Sequence, residues 1–199
     1  MKHVWIWGIV PCLLCGSLSC SSGRPAPSAP ELDPQEVAQQ AMTLYDQNGD
    51  GKIAGKELEA SPALKSALDE LDTNRDKGLS AEEIASRIEQ WNQAGDSLET
   101  APMTFQKGKK PLASGKVTLI PEPFLGKDYA RAEGVISDGI CTPAAPNPGH
   151  YQALPRGFYT VEITEASETL PDRKWGVEIF SNSQKYRREG RYLIDFSKK

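Results

Sequence analysis

Two stretches of twelve residues dominate this sequence: DQNGDGKIAGKE at residues 46–57 (loop one) and DTNRDKGLSAEE at residues 72–83 (loop two). Both place Asp, Asn, Asp and Glu at positions 1, 3, 5 and 12, with an aliphatic residue at position 8. The loops begin 26 residues apart, which allows one compact helix-loop-helix pair with a brief link. Oxygen-bearing side chains at this spacing around a tight turn indicate a site for a hard cation.

Both loops resemble the calcium loops of the EF-hand family. The resemblance implies calcium as the cofactor, with ligands from side-chain oxygens and, at position 7, from a backbone carbonyl. The implied ligands of loop one are Asp46, Asn48, Asp50, Lys52 and Glu57, and those of loop two are Asp72, Asn74, Asp76, Gly78, Ser80 and Glu83. It also implies that Ile53 and Leu79, at position 8, pair the loops through a short stretch of sheet.

Loop two departs from the pattern at Lys77, which occupies the position where glycine is expected. A lysine held at positive φ costs on the order of 1 kcal/mol, and its charge lies near the site. We therefore expect weaker calcium binding in loop two than in loop one. The alternative is that loop two stays empty and is purely structural.

Capping signals predict where the helices around the loops begin. The sequence Asp33-Pro34-Gln35-Glu36 has a capping side chain, a proline at the first helical position and a Glu placed to bond back. Ser61-Pro62 can cap a second helix, and residues 80–83 form another capping box. We expect residues 33–94 to fold as a pair of helix-loop-helix units.

Beyond a linker at residues 95–102, short alternating runs separated by Gly and Pro predict β-strands. The segments 115–121, 132–139 and 154–161 are similar to the transthyretin-like or carboxypeptidase-regulatory-like sandwich. The predicted fold is therefore two domains: an all-α EF-hand pair, then a small all-β antiparallel sandwich over residues 103–199.

The N-terminus predicts export to a bacterial cell envelope. Met1-Lys2-His3 is a positively charged start, and an apolar run follows to Leu18. Residues 17–22 look like a lipoprotein cleavage site in which Cys20 is lipidated and anchors the mature chain to a lipid bilayer. The alternative is plain secretion with cleavage near residues 19–22. In the lipoprotein prediction, residues 1–20 are the signal peptide and the Pro- and Ser-rich residues 21–32 are a tether.

Cysteine and histidine usage gives little support for catalysis. Cys12 and Cys15 lie in the signal, so Cys141 would be the single thiol of the mature chain beyond the lipidated residue, which excludes an intramolecular disulfide. Cys141 and His150 could form a nucleophile and base pair. We favour a packed strand cysteine and a loop histidine, and expect no enzymatic activity.

The charge is distributed unevenly along the chain. Residues 31–100 contain 16 acidic and 6 basic residues, whereas residues 101–199 contain 11 and 15. The acidic half fits a cation binder, and the basic half is too weakly charged to indicate nucleic acid.

These patterns predict a calcium-binding protein with a structural or interaction role and a protein or cell-surface partner. One alternative is a calcium-dependent enzyme or enzyme accessory protein with its site in the predicted β-sandwich. Another is a calcium sensor whose helices open toward a partner.

Overall fold

The computed structural model describes residues 29–95, 98–146 and 152–197. Four α-helices lie in these ranges: α1 (Pro34–Tyr45), α2 (Pro62–Leu71), α3 (Ala81–Gln93) and α4 (Gln184–Glu189). The predicted signal peptide, the lipidation site at Cys20 and residues 21–28 of the tether lie outside the described residues. Within these ranges, no helix has both the length and the apolar composition needed to span a membrane.

The helix starts are set by local side chains, as predicted. The Asp33 carboxylate accepts hydrogen bonds from the backbone N–H groups of Gln35 and Glu36, both at 2.9 Å. Ser61 caps α2, and Ser80 forms a reciprocal capping box with Glu83 at the start of α3. These bonds satisfy N–H groups that have no partner within the helix. The predicted caps at Asp33, Ser61 and Ser80 are confirmed.

The remaining regular structure consists of short and medium strands. They are β1 (Ile53–Ala54), β2 (Gly78–Leu79), β3 (Leu98–Glu99), β4 (Met103–Lys107), β5 (Lys110–Pro111), β6 (Ser114–Pro121), β7 (Ala132–Ser137), β8 (Ile140–Cys141), β9 (Leu154–Pro155), β10 (Gly157–Thr164), β11 (Trp175–Ile179) and β12 (Tyr192–Asp195). The predicted β-character of the C-terminal half is therefore confirmed at this coarse level.

One eight-stranded sheet forms the centre of the molecule. Its strand order is β11-β10-β6-β7-β8-β4-β12, with β5 added as a hairpin partner of β4. The pairs are antiparallel except β4 with β12, which is parallel. The sheet curls until its two end strands, β11 and β12, come near each other without forming a backbone ladder. Alternate residues of β10, including Tyr159 and Val161, are buried on one face of this sheet.

The other face of β10 and β11 is covered by helices. Phe158 of β10 packs against Trp91 of α3, with ring centroids 4.8 Å apart. Tyr45, the last residue of α1, packs edge-on against Phe124 and donates a 2.7 Å hydrogen bond to the buried carboxylate of Glu122. The apolar residues of helices and sheet thus form one connected core.

The prediction of two domains, an all-α EF-hand pair followed by an all-β antiparallel sandwich, is wrong. The described chain is predominantly β, with one large curled sheet. Helices α2 and α3 pack on that sheet, and α1 packs on α3 and on residues 123–125, so the helices do not form a separate all-α domain. The physical reason is burial: α2 lies against β11, and α3 places Trp91 on Phe158. The parallel β4–β12 pair also departs from the antiparallel prediction. The predicted residue boundaries of the segments remain predictions.

Buried ion pairs connect the helices to the sheet. Arg87 of α3 donates from Nη2 to Glu178 of β11 at 2.9 Å and to Glu70 of α2 at 2.8 Å. Trp91 Nε1 donates to the other Glu178 oxygen at 2.9 Å. Elsewhere Arg156 pairs with Glu99 at 2.7 Å. Burying such charges is tolerated only when each is paired and hydrogen-bonded, so these contacts fix how the helices sit on the sheet.

Candidate functional site

Loop one is closed by the two carboxylates at its ends. Asp46 Oδ1 accepts the backbone N–H of Gly49 at 2.8 Å, and Oδ2 accepts that of Gly51 at 2.9 Å. Glu57 Oε1 accepts the N–H of Gln47 at 2.9 Å, and Oε2 accepts that of Ala54 at 3.0 Å. The first and last residues of the loop therefore hold its backbone in a tight ring.

The amide and carboxylate between these ends are also bonded within loop one. Asn48 Oδ1 accepts the N–H of Asp50 at 2.8 Å, and Asn48 Nδ2 donates to Asp50 Oδ2 at 2.9 Å. Asp50 Oδ1 accepts the N–H of Lys52 at 3.0 Å. The predicted side-chain ligands of loop one therefore lie on one short turn of chain.

Loop two repeats this hydrogen-bond pattern at equivalent positions. Asp72 Oδ1 accepts the N–H of Asp76 at 3.1 Å, and Oδ2 accepts that of Lys77 at 2.8 Å. Glu83 Oε1 accepts the N–H of Thr73 at 2.8 Å, and Oε2 accepts that of Ser80 at 3.0 Å. These bonds hold the pKa of the Glu83 carboxyl below its usual value although burial opposes this, so the group is anionic at neutral pH.

The two loops are joined back to back. Ile53 of β1 pairs with Leu79 of β2, and Ala54 pairs with Gly78, in an antiparallel bridge. Ile53 and Leu79 are both fully buried. The predicted pairing of the loops through position 8 is therefore present, and it places Gly78 in the bridge and Ser80 just after it.

The side-chain ammonium group of Lys52, in loop one, contacts loop two. Lys52 Nζ lies 2.5 Å from Asp76 Oδ2. The Lys52 hydrogen bond lowers the pKa of Asp76, and the Asp76 contact raises the pKa of Lys52. Sequence reasoning assigned only the backbone carbonyl of Lys52 and missed this side chain, because the two residues are 24 positions apart and no local pattern predicts their contact.

Two glycine-like positions in loop two hold non-glycine residues. Lys77 has φ of 68° and Arg75 has φ of 61°. The predicted positive φ at Lys77 is therefore present. In loop one the equivalent positions are Gly51 and Gly49, with φ of 85° and 71°. Loop two therefore stores backbone strain that loop one avoids.

Of the Cys141–His150 pair, which the sequence did not favour as catalytic, the structure describes only the cysteine. Cys141 is a free, buried thiol on β8, and burial raises its pKa to about 11. A thiol with so high a pKa is a weak nucleophile at neutral pH. His150 lies outside the described residues.

Comparison with known proteins does not identify a family. No protein-family model and no curated protein matches the chain. Among the residues that the structure describes, no group of three or more His, Cys, Asp and Glu side chains converges into a metal-holding cluster. These findings correct the family assignment made from the motifs: the chain is placed neither in the EF-hand family nor in the transthyretin-like family.

Proposed function

We propose that loops one and two each bind a calcium ion, in an exported, membrane-anchored protein with a structural or interaction role. The observation that carries the proposal is the repeated bonding of the position-12 glutamates. Glu57 and Glu83 each accept the N–H of loop position 2 with one oxygen and that of position 9 with the other. Two segments of different sequence thus build the same oxygen-lined turn.

The donor chemistry fits calcium better than a transition metal. The side-chain ligands are carboxylates, amides and one hydroxyl, and neither loop contains His or Cys. Calcium prefers six to eight such oxygens, whereas zinc and copper favour nitrogen and sulfur. Each carboxylate has about four lone-pair positions, so the backbone N–H contacts leave acceptor capacity for a cation. We expect binding to draw the loop carboxylates closer together than they lie in this structure.

The packing of the helices supports a structural role over opening toward a partner. Tyr45, directly before Asp46, is bonded to Glu122, and Arg87 of α3 is bonded to Glu178. Opening the helices would break these buried contacts and expose apolar surface, including the packing of Tyr45 on Phe124 and of Trp91 on Phe158, to water. Calcium would instead add stability by mass action, about 2.7 kcal/mol at a hundredfold excess over the dissociation constant.

Calorimetric titration of calcium into the metal-stripped protein tests the proposal. We expect two sites, with dissociation constants of about 10⁻⁴ to 10⁻³ M if they resemble those of extracellular modules. Glu57→Gln should remove the loop-one site and Glu83→Gln the loop-two site, because each removes a charged ligand. Glu59→Gln and Glu82→Gln are the matched controls, since both glutamates are exposed and lie beside the loops.

The controls decide the interpretation. Retention of both sites in Glu59→Gln and Glu82→Gln, with loss of one site in each loop variant, would support the proposal. Absence of calcium-dependent heat and of any thermal stabilisation in the unaltered protein would refute it. Equal losses in control and loop variants would also refute it, because a general charge effect would then explain the binding.

Replacing Lys77 by glycine should strengthen loop two. Lys77→Gly relieves a left-handed φ of 68°, so we expect roughly 1 kcal/mol of added stability and tighter binding at the weaker site. Chemical unfolding and calcium titration measure the two effects. Lys56→Gly is the control. Lys56 has φ of −70°, which any residue adopts, so glycine there should destabilise the protein by increasing the conformational entropy of the unfolded chain. A Lys77→Gly variant no more stable than the parent would contradict the strain argument.

A further inference from the structure

The two loops differ at one carboxylate oxygen of the aspartate at position 5. Asp50 Oδ1 accepts the N–H of Lys52 at 3.0 Å, and Asp76 Oδ1 accepts the N–H of Gly78 at the same distance, 3.0 Å. Asp50 Oδ2 accepts a 2.9 Å hydrogen bond from Asn48 Nδ2 of its own loop. Asp76 Oδ2 instead contacts Lys52 Nζ of the other loop, at 2.5 Å. At this oxygen, loop two therefore has a cation where loop one has a neutral amide.

The glycine at position 7 of loop two makes room for this contact. A Cβ on Gly78 would lie 3.3 Å from each of three atoms, namely Lys52 Cβ, Lys52 Cδ and Asp76 Oδ1. The aliphatic part of the Lys52 side chain therefore runs directly over Gly78 to the carboxylate. Lys52 occupies position 7 of loop one, so the reverse contact cannot form, because glycine has no side chain that could extend to Asp50. The difference between the loops thus follows from one pair of equivalent positions.

The Lys52 ammonium group is held at an aspartate that calcium also needs. Position 5 of an oxygen-lined loop of this kind supplies a side-chain ligand to the ion. An ammonium group and a calcium ion at the same carboxylate repel each other, so calcium binding at Asp76 should displace Lys52. The Lys52 side chain is 45% exposed, and water can therefore solvate its charge when it leaves. Because partly exposed ion pairs are weak, this competition should lower the affinity of loop two without preventing binding.

We propose that Lys52 is an internal counter-ion of loop two, which competes with calcium for Asp76 and makes loop two fill after loop one, an inference that rests on the calcium binding proposed above. Lys52 then affects both sites, since its backbone carbonyl is an expected ligand of loop one and its ammonium group opposes binding in loop two. This competition is distinct from the backbone strain at Lys77, because it depends on a side chain of the other loop.

Calcium titration in a Glu57→Gln background tests the proposal, because that substitution leaves loop two as the expected site. Adding Lys52→Met should tighten calcium binding by about two- to fivefold, the range expected for the loss of one partly exposed ion pair. Lys52→Arg keeps a cation on a similar stem and should keep the weaker affinity. Lys56→Met is the matched control, since it removes the same charge from an exposed lysine of the same loop. It should change the affinity less than Lys52→Met does.

The side-chain ammonium signal of Lys52 in proton–nitrogen NMR spectra follows the displacement directly. The signal is assigned by its loss in Lys52→Arg. In the Glu57→Gln protein we expect it to shift over the same calcium concentrations that fill loop two. The three substitutions at Lys52 and Lys56 in the parent protein report on the weaker of its two sites, so the comparison stands even if Glu57→Gln also affects loop two.

Two results would overturn the proposal while leaving calcium binding intact. One is an affinity gain in Lys52→Met no larger than that in Lys56→Met. The other is an unchanged Lys52 signal while loop two fills with calcium. Absence of calcium binding in the parent protein would instead refute the proposed function, and the role of Lys52 with it.

Discussion

A Gly176→Ala variant should be destabilised by about 3 kcal/mol or more, because a methyl group at this position has no room. A Cβ on Gly176 would lie 2.0 Å from both the carbonyl carbon and the oxygen of Pro62, and 2.2 Å from the nitrogen of Ala63. These are backbone atoms of the first turn of α2, so no side-chain rotation can relieve the overlap. The helix would have to move off β11, and α2 leads directly into loop two.

Urea unfolding of Gly176→Ala beside Gly115→Ala measures this effect. Gly115 also lies on a strand, β6, but its nearest contact for an added Cβ is Ile163 Cγ2 at 3.4 Å, an ordinary van der Waals distance. Alanine at that position should be nearly neutral. Equal unfolding midpoints for the two variants would show that α2 does not rest on the backbone of β11 as described.

The parts of the fold that the sequence predicted well are those set by neighbouring residues. The caps at Asp33, Ser61 and Ser80 each depend on residues within three positions, and α1, α2 and α3 begin directly after them. The positive φ of Lys77 and the pairing of Ile53 with Leu79 were also predicted, because the loop pattern that both segments resemble implies these roles for positions 6 and 8.

The arrangement of helices on the sheet could not be predicted in this way. Arg87 and Glu178 are 91 residues apart, and neither has a local signal that it is buried. Charged residues are usually exposed, so a sequence reading places both at the surface. The Lys52–Asp76 contact in the candidate site could not be predicted either, because the two residues are 24 positions apart in the sequence. The hydrophobic pattern changes from helical spacing to alternation near residue 100, and this change predicts two domains. In the structure, however, the apolar faces of the helices and of the sheet meet in one core.

The second large effect is expected at Arg87. Arg87→Met should destabilise the protein by about 3–5 kcal/mol at neutral pH, because it leaves Glu178 buried without its cation. In the parent protein Arg87 Nη2 donates to Glu178 Oε2 at 2.9 Å, and Nε lies 2.7 Å from Oε1 without good hydrogen-bond alignment. Burial raises the pKa of Glu178 even with Arg87 present. Arg188→Met is the control, since Arg188 is exposed and lies 3.9 Å from Glu189.

The pH dependence of Arg87→Met separates lost charge pairing from lost packing. Without Arg87, the folded-state pKa of Glu178 rises further above its unfolded value, which is near 4.5. Between these two values the folded state holds a proton that the unfolded state has released, so stability increases as the pH falls through this window. The deficit of the variant relative to the parent should therefore shrink from pH 7 to about pH 5. Arg87→Met/Glu178→Gln lacks the buried Glu178 carboxyl and keeps only Glu70, which still accepts the backbone N–H groups of Gln184 and Lys185. Its deficit should therefore be smaller and should depend less on pH. A pH-independent deficit in the single variant would mean that lost packing, not an unpaired buried charge, causes the destabilisation.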